Sequence, residues 1–367
     1  MSADLAFMTR AVRLGHRALG TTAENPPVGC VIVKEGAIVG LGWTQPGGRP
    51  HAEVEALRMA GEAARGATAY VTLEPCAHHG RTPPCAEALV KAGIVRVVAA
   101  IEDPDPRVSG GGFAILRRAG VVVETGLCRE EASGDLAGFL TRIARKRPYV
   151  LLKLALSADG KIAETVGKRT AITGPEVKAR THLLRAQADA ILVGLGTVLA
   201  DDPDLTCRLP GLASRSPIRV VADSKGAIPR LAHLVRTAAQ VPLWLLSLAG
   251  TTAIPGVEIL PCAPGASGGV DLADGLTQLA ARGVNRVLAE GGARLARGLI
   301  EAGLVDELQL FRAPKALGAQ GVDGFAGMPL AQVMAGFRPG PEERLGDDRL
   351  SVYVRNPLSP LRARGLG

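Results

Sequence analysis

Glu74-Pro75-Cys76-Ala77-His78-His79-Gly80-Arg81-Thr82-Pro83-Pro84-Cys85 is the stretch on which the reading of this chain turns. Two thiols flank a loop of eight residues, 77–84, and a proline stands directly before each cysteine. Upstream lies His51-Ala52-Glu53. Zinc takes imidazole nitrogen and thiolate sulfur in a tetrahedral set; a structural site closes all four positions with protein, whereas a catalytic site leaves the fourth for water. His51, Cys76 and Cys85 supply three ligands, and Glu53 is placed to carry a proton. Zinc lowers the pKa of bound water from about 15.7 to about 7, which at about 1.36 kcal/mol per unit eases deprotonation by roughly 12 kcal/mol. An isolated His-x-Glu or an isolated cysteine pair means little. Together, with the flanking prolines, they read as a catalytic zinc centre. His78 and His79 lie in the loop between the thiols, where either could donate a fourth ligand; their place in that loop favours substrate contact for one of them.

Outward from this stretch the pattern is α/β. Residues 3–19 read as an amphipathic helix, with Leu5, Met8, Val12 and Leu19 on one face. Val28–Val33 is a β-branched strand, Lys34-Glu35-Gly36 a hairpin turn, and Ala37–Gly42 a second strand. Residues 51–64 are helical in pattern, 69–73 a strand, 85–92 a helix ending at Gly93, and 95–101 a buried strand. This order predicts a mixed sheet covered by helices. Both halves of the metal site then open helices, whose N-terminal partial positive charge favours thiolate over thiol. The basic run Arg145-Lys146-Arg147 before Pro148 reads as a solvated linker, giving domains 1–147 and 148–367. Beyond it, strands are expected at 149–156, 190–194, 218–222, 243–247 and 287–290, helices at 175–186 and 293–302, and a loop at 263–269. No internal repeat is present.

Composition bounds the rest. The 367 residues are 47% hydrophobic and 21% charged, enough for two domains with real cores. Aromatics make up only 3%, which argues against a base-stacking nucleic-acid platform. The net charge of +8 reads first as that of an ordinary basic cytosolic protein and second as attraction to phosphorylated ligands; the arginines are scattered, which argues against a dedicated nucleic-acid tail. Of Cys30, Cys76, Cys85, Cys128, Cys207 and Cys262, only Cys76 and Cys85 sit in a motif, so a reducing, cytoplasmic compartment is expected. Arg10 and Arg13 interrupt the apolar residues near the N-terminus, which excludes a signal-peptide reading of that segment. No uncharged apolar run reaches membrane-spanning length. A homo-oligomer is expected.

With its long Cys–Cys interval, the 74–85 stretch resembles the signature of the bifunctional riboflavin-biosynthesis deaminase–reductase family, and Asn25-Pro26-Pro27-Val28-Gly29 is similar to that family's N-P-x-V-G segment. tRNA adenosine deaminases carry the short P-C-x-x-C instead. The resemblance covers nearly the whole chain. It implies a cytidine-deaminase-like N-terminal domain with Zn2+ on His51, Cys76 and Cys85, Glu53 as proton carrier, and Asn25 in the pyrimidine pocket beside His78. Arg81 and the loop histidines are candidates for recognising a phosphate or a ring substituent.

Three downstream stretches extend the resemblance: Lys153–Gly160, Gly194–Arg208 and Glu290–Leu295. Paired glycines at a strand-to-helix turn let a pyrophosphate approach backbone N–H groups. Gly194-x-Gly196 lacks the third glycine of a dinucleotide fingerprint. Together the stretches resemble the family's dihydrofolate-reductase-like domain. That implies NADPH contacts at Ala155, Ala171, Thr197, Asp201, Ser224, Gly292, Ala293, Arg294, Leu295, Ala296, Arg297 and Gly298. It implies substrate contacts at Arg169, Arg185, Leu205, Arg208 and Glu290, with Lys153 and Asp201 handling protons. One departure stands out: where the family has S-x-W-I-T, this chain has Arg169-Thr170-Ala171-Ile172-Thr173, losing an indole surface. The expected function is deamination of a phosphoribosylamino-diaminopyrimidinone followed by NADPH-dependent reduction of its ribose. Two other readings compete: a nucleic-acid deaminase with an RNA-binding C-terminal half, and a deaminase whose C-terminal half is a non-catalytic oligomerisation module.

Overall fold

A computed structural model describes residues 3–78, 83–105, 108–168, 170–266 and 268–355. The chain divides into two compact units, Met1–Lys146 and Arg147–Gly367. The basic run is not a solvated linker throughout: Arg147 is buried and donates to both carboxylate oxygens of Asp306, at 2.6 and 2.8 Å.

In the N-terminal unit the chain runs α1 (Ala3–His16), β1 (Gly29–Lys34), β2 (Ala37–Trp43), α2 (Ala52–Ala60), β3 (Thr68–Val71), α3 (Cys85–Lys91), β4 (Arg96–Ala99), α4 (Gly111–Arg118), β5 (Val122–Thr125) and α5 (Arg129–Arg145). The sheet order is β2-β1-β3-β4-β5, with β1 antiparallel to both β2 and β3 and the rest parallel. Glu35 and Gly36 both take positive φ, 52° and 78°, which closes the β1–β2 hairpin as the sequence predicts. Helix α1, packed with α5, covers one face, while α2 and α3 cover the other. The seating of α2 depends on Gly42: a Cβ there would fall 2.0 Å from the Ala52 carbonyl oxygen. Val31, Ile32, Val97, Leu89, Leu116 and Leu136 are buried between the layers.

The helix expected over 3–19 ends at His16, because Arg17, Ala18 and Thr21 bond back in turns of three. The helix expected over 51–64 is α-helical to Ala60, and Gly61 at φ 52° turns the remainder into a 3-10 segment.

The C-terminal unit runs β6 (Tyr149–Leu156), β7 (Lys161–Ala163), α6 (Pro175–Ala186), β8 (Ala190–Gly194), α7 (Leu195–Asp201), β9 (Ile218–Ala222), α8 (His233–Arg236), β10 (Leu243–Leu248), β11 (Glu258–Cys262), α9 (Leu272–Ala281), β12 (Arg286–Glu290), α10 (Ala293–Glu301), β13 (Glu307–Arg312), β14 (Val322–Asp323), α11 (Leu330–Met334), β15 (Phe337–Leu345) and β16 (Asp348–Arg355). The main sheet has the order β11-β10-β9-β8-β12-β6-β13-β16-β15. It is parallel from β11 to β13, and β16 and β15 add an antiparallel edge. Alternation along β6 divides the core: Val150, Leu152 and Leu154 join one cluster with α9 and α10, and Leu151 joins the other with Ile191, Val221 and Leu288. The chain winds outward from β8 and returns through β12 between β8 and β6. Open α/β sheets bind ligands at the carboxyl ends of strands where the order reverses in this way.

Candidate active sites

Two of the three zinc-ligand candidates stand at helix starts, and the third lies in the segment after a strand. His51 is the residue before α2, and Glu53 lies in that helix's first turn. Cys85 opens α3, and Cys76 follows the β3 end. His51 Nδ1 lies 3.3 Å from Cys85 Sγ and 3.7 Å from Cys76 Sγ, and all three donor atoms fall within 4.8 Å of one another. A tetrahedral zinc with bonds of about 2.05 Å to nitrogen and 2.3 Å to sulfur needs an N···S edge of about 3.6 Å, so this donor set fits the ion. The Cys85 backbone N–H also donates to Cys76 Sγ at 3.3 Å. Hydrogen bonds from Cys85 hold the Cys76 thiol well below its usual range, so Cys76 ionises first.

Glu53 is buried at 4% exposure. That burial pushes its carboxyl up to about 7, with the adjacent His51 pulling the other way. His78 is half-buried and its Nδ1 has no hydrogen-bond partner among the described residues. The Asn25 side chain lies against Gly48, just upstream of His51, with its backbone tied to Thr22. Arg81 and His79 lie outside the described residues. Sequence reasoning gave Glu74 no role, yet its buried carboxylate accepts four backbone N–H groups, three of them at the start of α4.

In the C-terminal unit the candidates gather at the carboxyl ends of β6, β8, β9 and β12. Lys153 on β6 is in register with Glu290 on β12 and with Gln309 on β13, which puts the three side chains on one sheet face. Arg185, from α6, grips Glu290 through two bonds, Nε to Oε1 at 2.7 Å and an Nη to Oε2 at 2.9 Å, and also donates to the Thr206 carbonyl oxygen at 3.1 Å. Burial pushes the Glu290 carboxyl up, and the Arg185 charge more than reverses it, leaving a net lowered pKa. Lys153 makes no hydrogen bond or ion pair among the described residues; its Nζ sits 5.6 Å from the centre of the Phe311 ring. Burial pulls its pKa below the ordinary lysine value, opposed by Glu290 and reinforced by Arg185.

The glycine turn meets α7. Thr197 Oγ1 accepts the Gly292 N–H at 3.3 Å, and the Arg294 guanidinium lies over Gly196, with no hydrogen bond to any described residue. Within 292–298, Ala293, Leu295 and Ala296 point into the core, so only their backbones are available to a ligand. Arg297 turns away to bond Glu301 and the Ala326 carbonyl oxygen. Ser224, after β9, accepts the Val270 N–H, Ala155 is half-buried on β6, and Asp201 and Ala171 are exposed. Arg169 lies outside the described residues. Leu205 is buried at φ 59°, in the left-handed region that a leucine enters only at a cost. Arg208 is tethered to Asp204 by its side chain and to His182 Nδ1 by its N–H. This ring of His182, Asp204 and Thr206 around the arginines had no signal in the sequence, because it exists only through tertiary contact.

Fold and donor geometry define a class: a zinc-binding deaminase unit joined to an α/β reductase unit. Residues 1–101 match the cytidine and deoxycytidylate deaminase zinc-binding region, and 148–337 match the RibD C-terminal domain. The chain is 45% identical to riboflavin biosynthesis protein RibD of Escherichia coli K12, over 86% of this chain and 89% of that one. It is 39% identical to the RibD of Aquifex aeolicus, over 96% and 98%. Acinetobacter baumannii RibD superposes with a TM-score of 0.87 at 37% identity, covering 96% of this chain and 99% of that one. A Thermotoga maritima diaminohydroxyphosphoribosylaminopyrimidine deaminase/5-amino-6-(5-phosphoribosylamino)uracil reductase superposes with a TM-score of 0.86 at 34% identity, over the same shares.

The chain belongs to the RibD family of riboflavin biosynthesis. It is a bifunctional enzyme, a zinc-binding deaminase and an NADPH-dependent reductase acting on a small molecule. The non-catalytic reading of the C-terminal half is not favoured. Among the described residues no helix is long and apolar enough to cross a membrane.

Proposed function

We propose that residues 1–147 carry the deaminase, with zinc on His51 Nδ1, Cys76 Sγ and Cys85 Sγ, and that residues 148–367 carry the reductase. The observation behind the first assignment is the three-donor cluster with Glu53 buried beside it. Zinc held there supplies Lewis-acid activation of water. Glu53 takes one proton from the attacking water and delivers it to the pyrimidine ring nitrogen, then passes the second to the departing amine. The ring carbon gains oxygen, its C–N bond breaks, and ammonia leaves. Asn25 and His78 bind the ring edge, since an amide and an imidazole both donate and accept. Glu53→Gln is the test. It keeps zinc and loses deamination by roughly 10²- to 10⁴-fold. Loss of zinc, or unchanged turnover, refutes the role.

For the reductase, NADPH supplies hydride. It would be held by Ala155, Ala171, Thr197, Asp201 and Ser224 and by residues 292–298 at the α10 start. Arg294 adds charge there, and the alanines and Leu295 contribute only backbone. As hydride reaches the anomeric carbon, the ring C–O bond breaks and the freed oxygen takes a proton from Lys153, an ammonium with no competing hydrogen bond among the described residues. Asp201 serves the same proton path. Arg208 and Arg169 bind the phosphate, and Leu205 lines the sugar. Arg185 with Glu290 forms the substrate-facing ion pair. We further propose a cytoplasmic enzyme, supported by a thiolate metal site and six unpaired cysteines. We propose that it does not bind nucleic acid, on its few aromatics. A homo-oligomer is supported by the exposed Leu199 and Leu231, and a monomer mass by light scattering would refute it.

A further inference from the structure

Glu74 stands two residues before Cys76 and is 3% exposed. Its Oε1 accepts the N–H groups of Gly112 (2.9 Å) and Phe113 (3.2 Å), and its Oε2 those of Gly110 (3.1 Å) and Asp103 (3.2 Å). Three of these donors belong to the start of α4, where N–H groups lack intrahelical partners and the helix dipole favours an anion. The backbones touch as well. A Cβ at Gly112 would fall 1.9 Å from the Pro75 carbonyl oxygen, and one at Gly111 3.1 Å from Ala77 Cβ. Residues 74–77 therefore lie flush on the first turn of α4. On its other side Cys76 meets the start of α3: its carbonyl oxygen accepts the Ala86 N–H and its sulfur the Cys85 N–H, each at 3.3 Å. Cys76 is thus held between two helix starts, one gripped through Glu74 and the other carrying the next sulfur.

The geometry points to Glu74 as a positioning residue of the zinc centre. It fastens the Cys76 segment to α4, which holds the Cys76 sulfur at ligand spacing from His51 and Cys85. Glu74 belongs to no donor cluster among the described residues, and its oxygens face the four amides. The inference rests on the assignment of His51, Cys76 and Cys85 as ligands. That assignment fails separately, if a Cys76→Ala chain binds zinc as tightly as the parent.

The test uses the full chain with Glu74→Gln and Glu74→Asp. An amide keeps one acceptor oxygen and turns an NH2 against two of the N–H donors; the aspartate keeps the charge. Chelator competition should show zinc affinity lowered roughly 10- to 100-fold in Glu74→Gln, the usual range for partners that orient ligands, and partly restored in Glu74→Asp. The cobalt-substituted protein should lose thiolate-to-metal absorption in the same order. NADPH oxidation with the aminouracil substrate, carried by the other unit, should stay within twofold and reports that unit, while Trp43 fluorescence in a Trp244→Phe background reports that the N-terminal unit is folded. Unchanged zinc affinity and cobalt spectrum in Glu74→Gln overturn the inference. If neither variant folds, the parent protein decides. Coupling between metal and clamp is reciprocal, so stripping zinc should speed hydrogen exchange at the Gly112 and Phe113 amides. No change in their exchange overturns the inference equally.

Discussion

In the N-terminal unit three donor atoms from residues 51, 76 and 85 lie within 4.8 Å of one another, each at or beside the start of a helix or a tight backbone contact. In the C-terminal unit the candidate groups come from residues as far apart as 153 and 298, and meet only where β6, β8, β9 and β12 end side by side. The first site is dense and fixed by side chains; the second is spread out and largely backbone. A metal demands particular atoms at particular distances. A dinucleotide and a sugar phosphate ask for exposed N–H groups, a few cations and room. One chain can hold both plans because each unit has its own core.

The comparison breaks most sharply at the ligands. Cys85→Ala should abolish bound zinc and deamination, read by metal analysis and ammonia release, while NADPH oxidation stays within twofold. Lys153→Ala should do the converse, lowering NADPH oxidation roughly 10²- to 10⁴-fold and leaving zinc and deamination intact. A parallel loss in both assays would mean the sites are not independent.

Next comes the buried ion pair of the second site. Arg185 and Glu290 side chains are 12% and 13% exposed. Arg185→Met leaves a buried carboxylate without its partner and should cost about 3–5 kcal/mol. Adding Glu290→Gln should recover much of that loss. Trp43 and Trp244 stand in different units, so urea unfolding of a Trp43→Phe background reports the C-terminal unit through Trp244. An equal loss in the single and double variants contradicts the pairing.

The smallest effect lies at the surface of the first unit. Hydrogen bonds from Arg96 and Tyr70 hold Asp4 down from 3.8 to about 2. A carboxyl lowered on folding adds stability above about pH 3.8, and loses it as pH falls toward 2. Asp4→Asn should therefore remove at most about 1 kcal/mol at neutral pH, since the pair is partly exposed and screened. The deficit should vanish near pH 2. A deficit that persists there points to packing rather than charge.

How much of this was legible in the sequence follows the same division. His51, Glu53, Cys76 and Cys85 could be read from residue type and spacing alone, and strands such as 149–156 and 190–194 from their apolar runs. The N-terminal hairpin was legible because Gly36 marks its turn. What escaped depends on contact across the chain. Glu74 was visible as a letter in a motif, but its grip on Gly110, Gly112 and Phe113 requires α4 to arrive beside it. The Arg185–Glu290 pair spans 105 residues. Nothing in the pattern said that Arg185 already has an ion-pair partner while Lys153 has no hydrogen bond or ion pair among the described residues. The buried side chains of Ala293, Leu295 and Ala296 show the limit of reading a ligand segment residue by residue.

The central claim is that one chain holds two active sites used in succession. The most direct measurement follows purified protein with the diaminopyrimidinone phosphoribosylamino substrate, first without and then with NADPH. Ammonia should be released and the aminouracil should accumulate without NADPH, and on its addition NADPH should be oxidised one for one with the accumulated product. Full deamination with no NADPH oxidation would contradict the account.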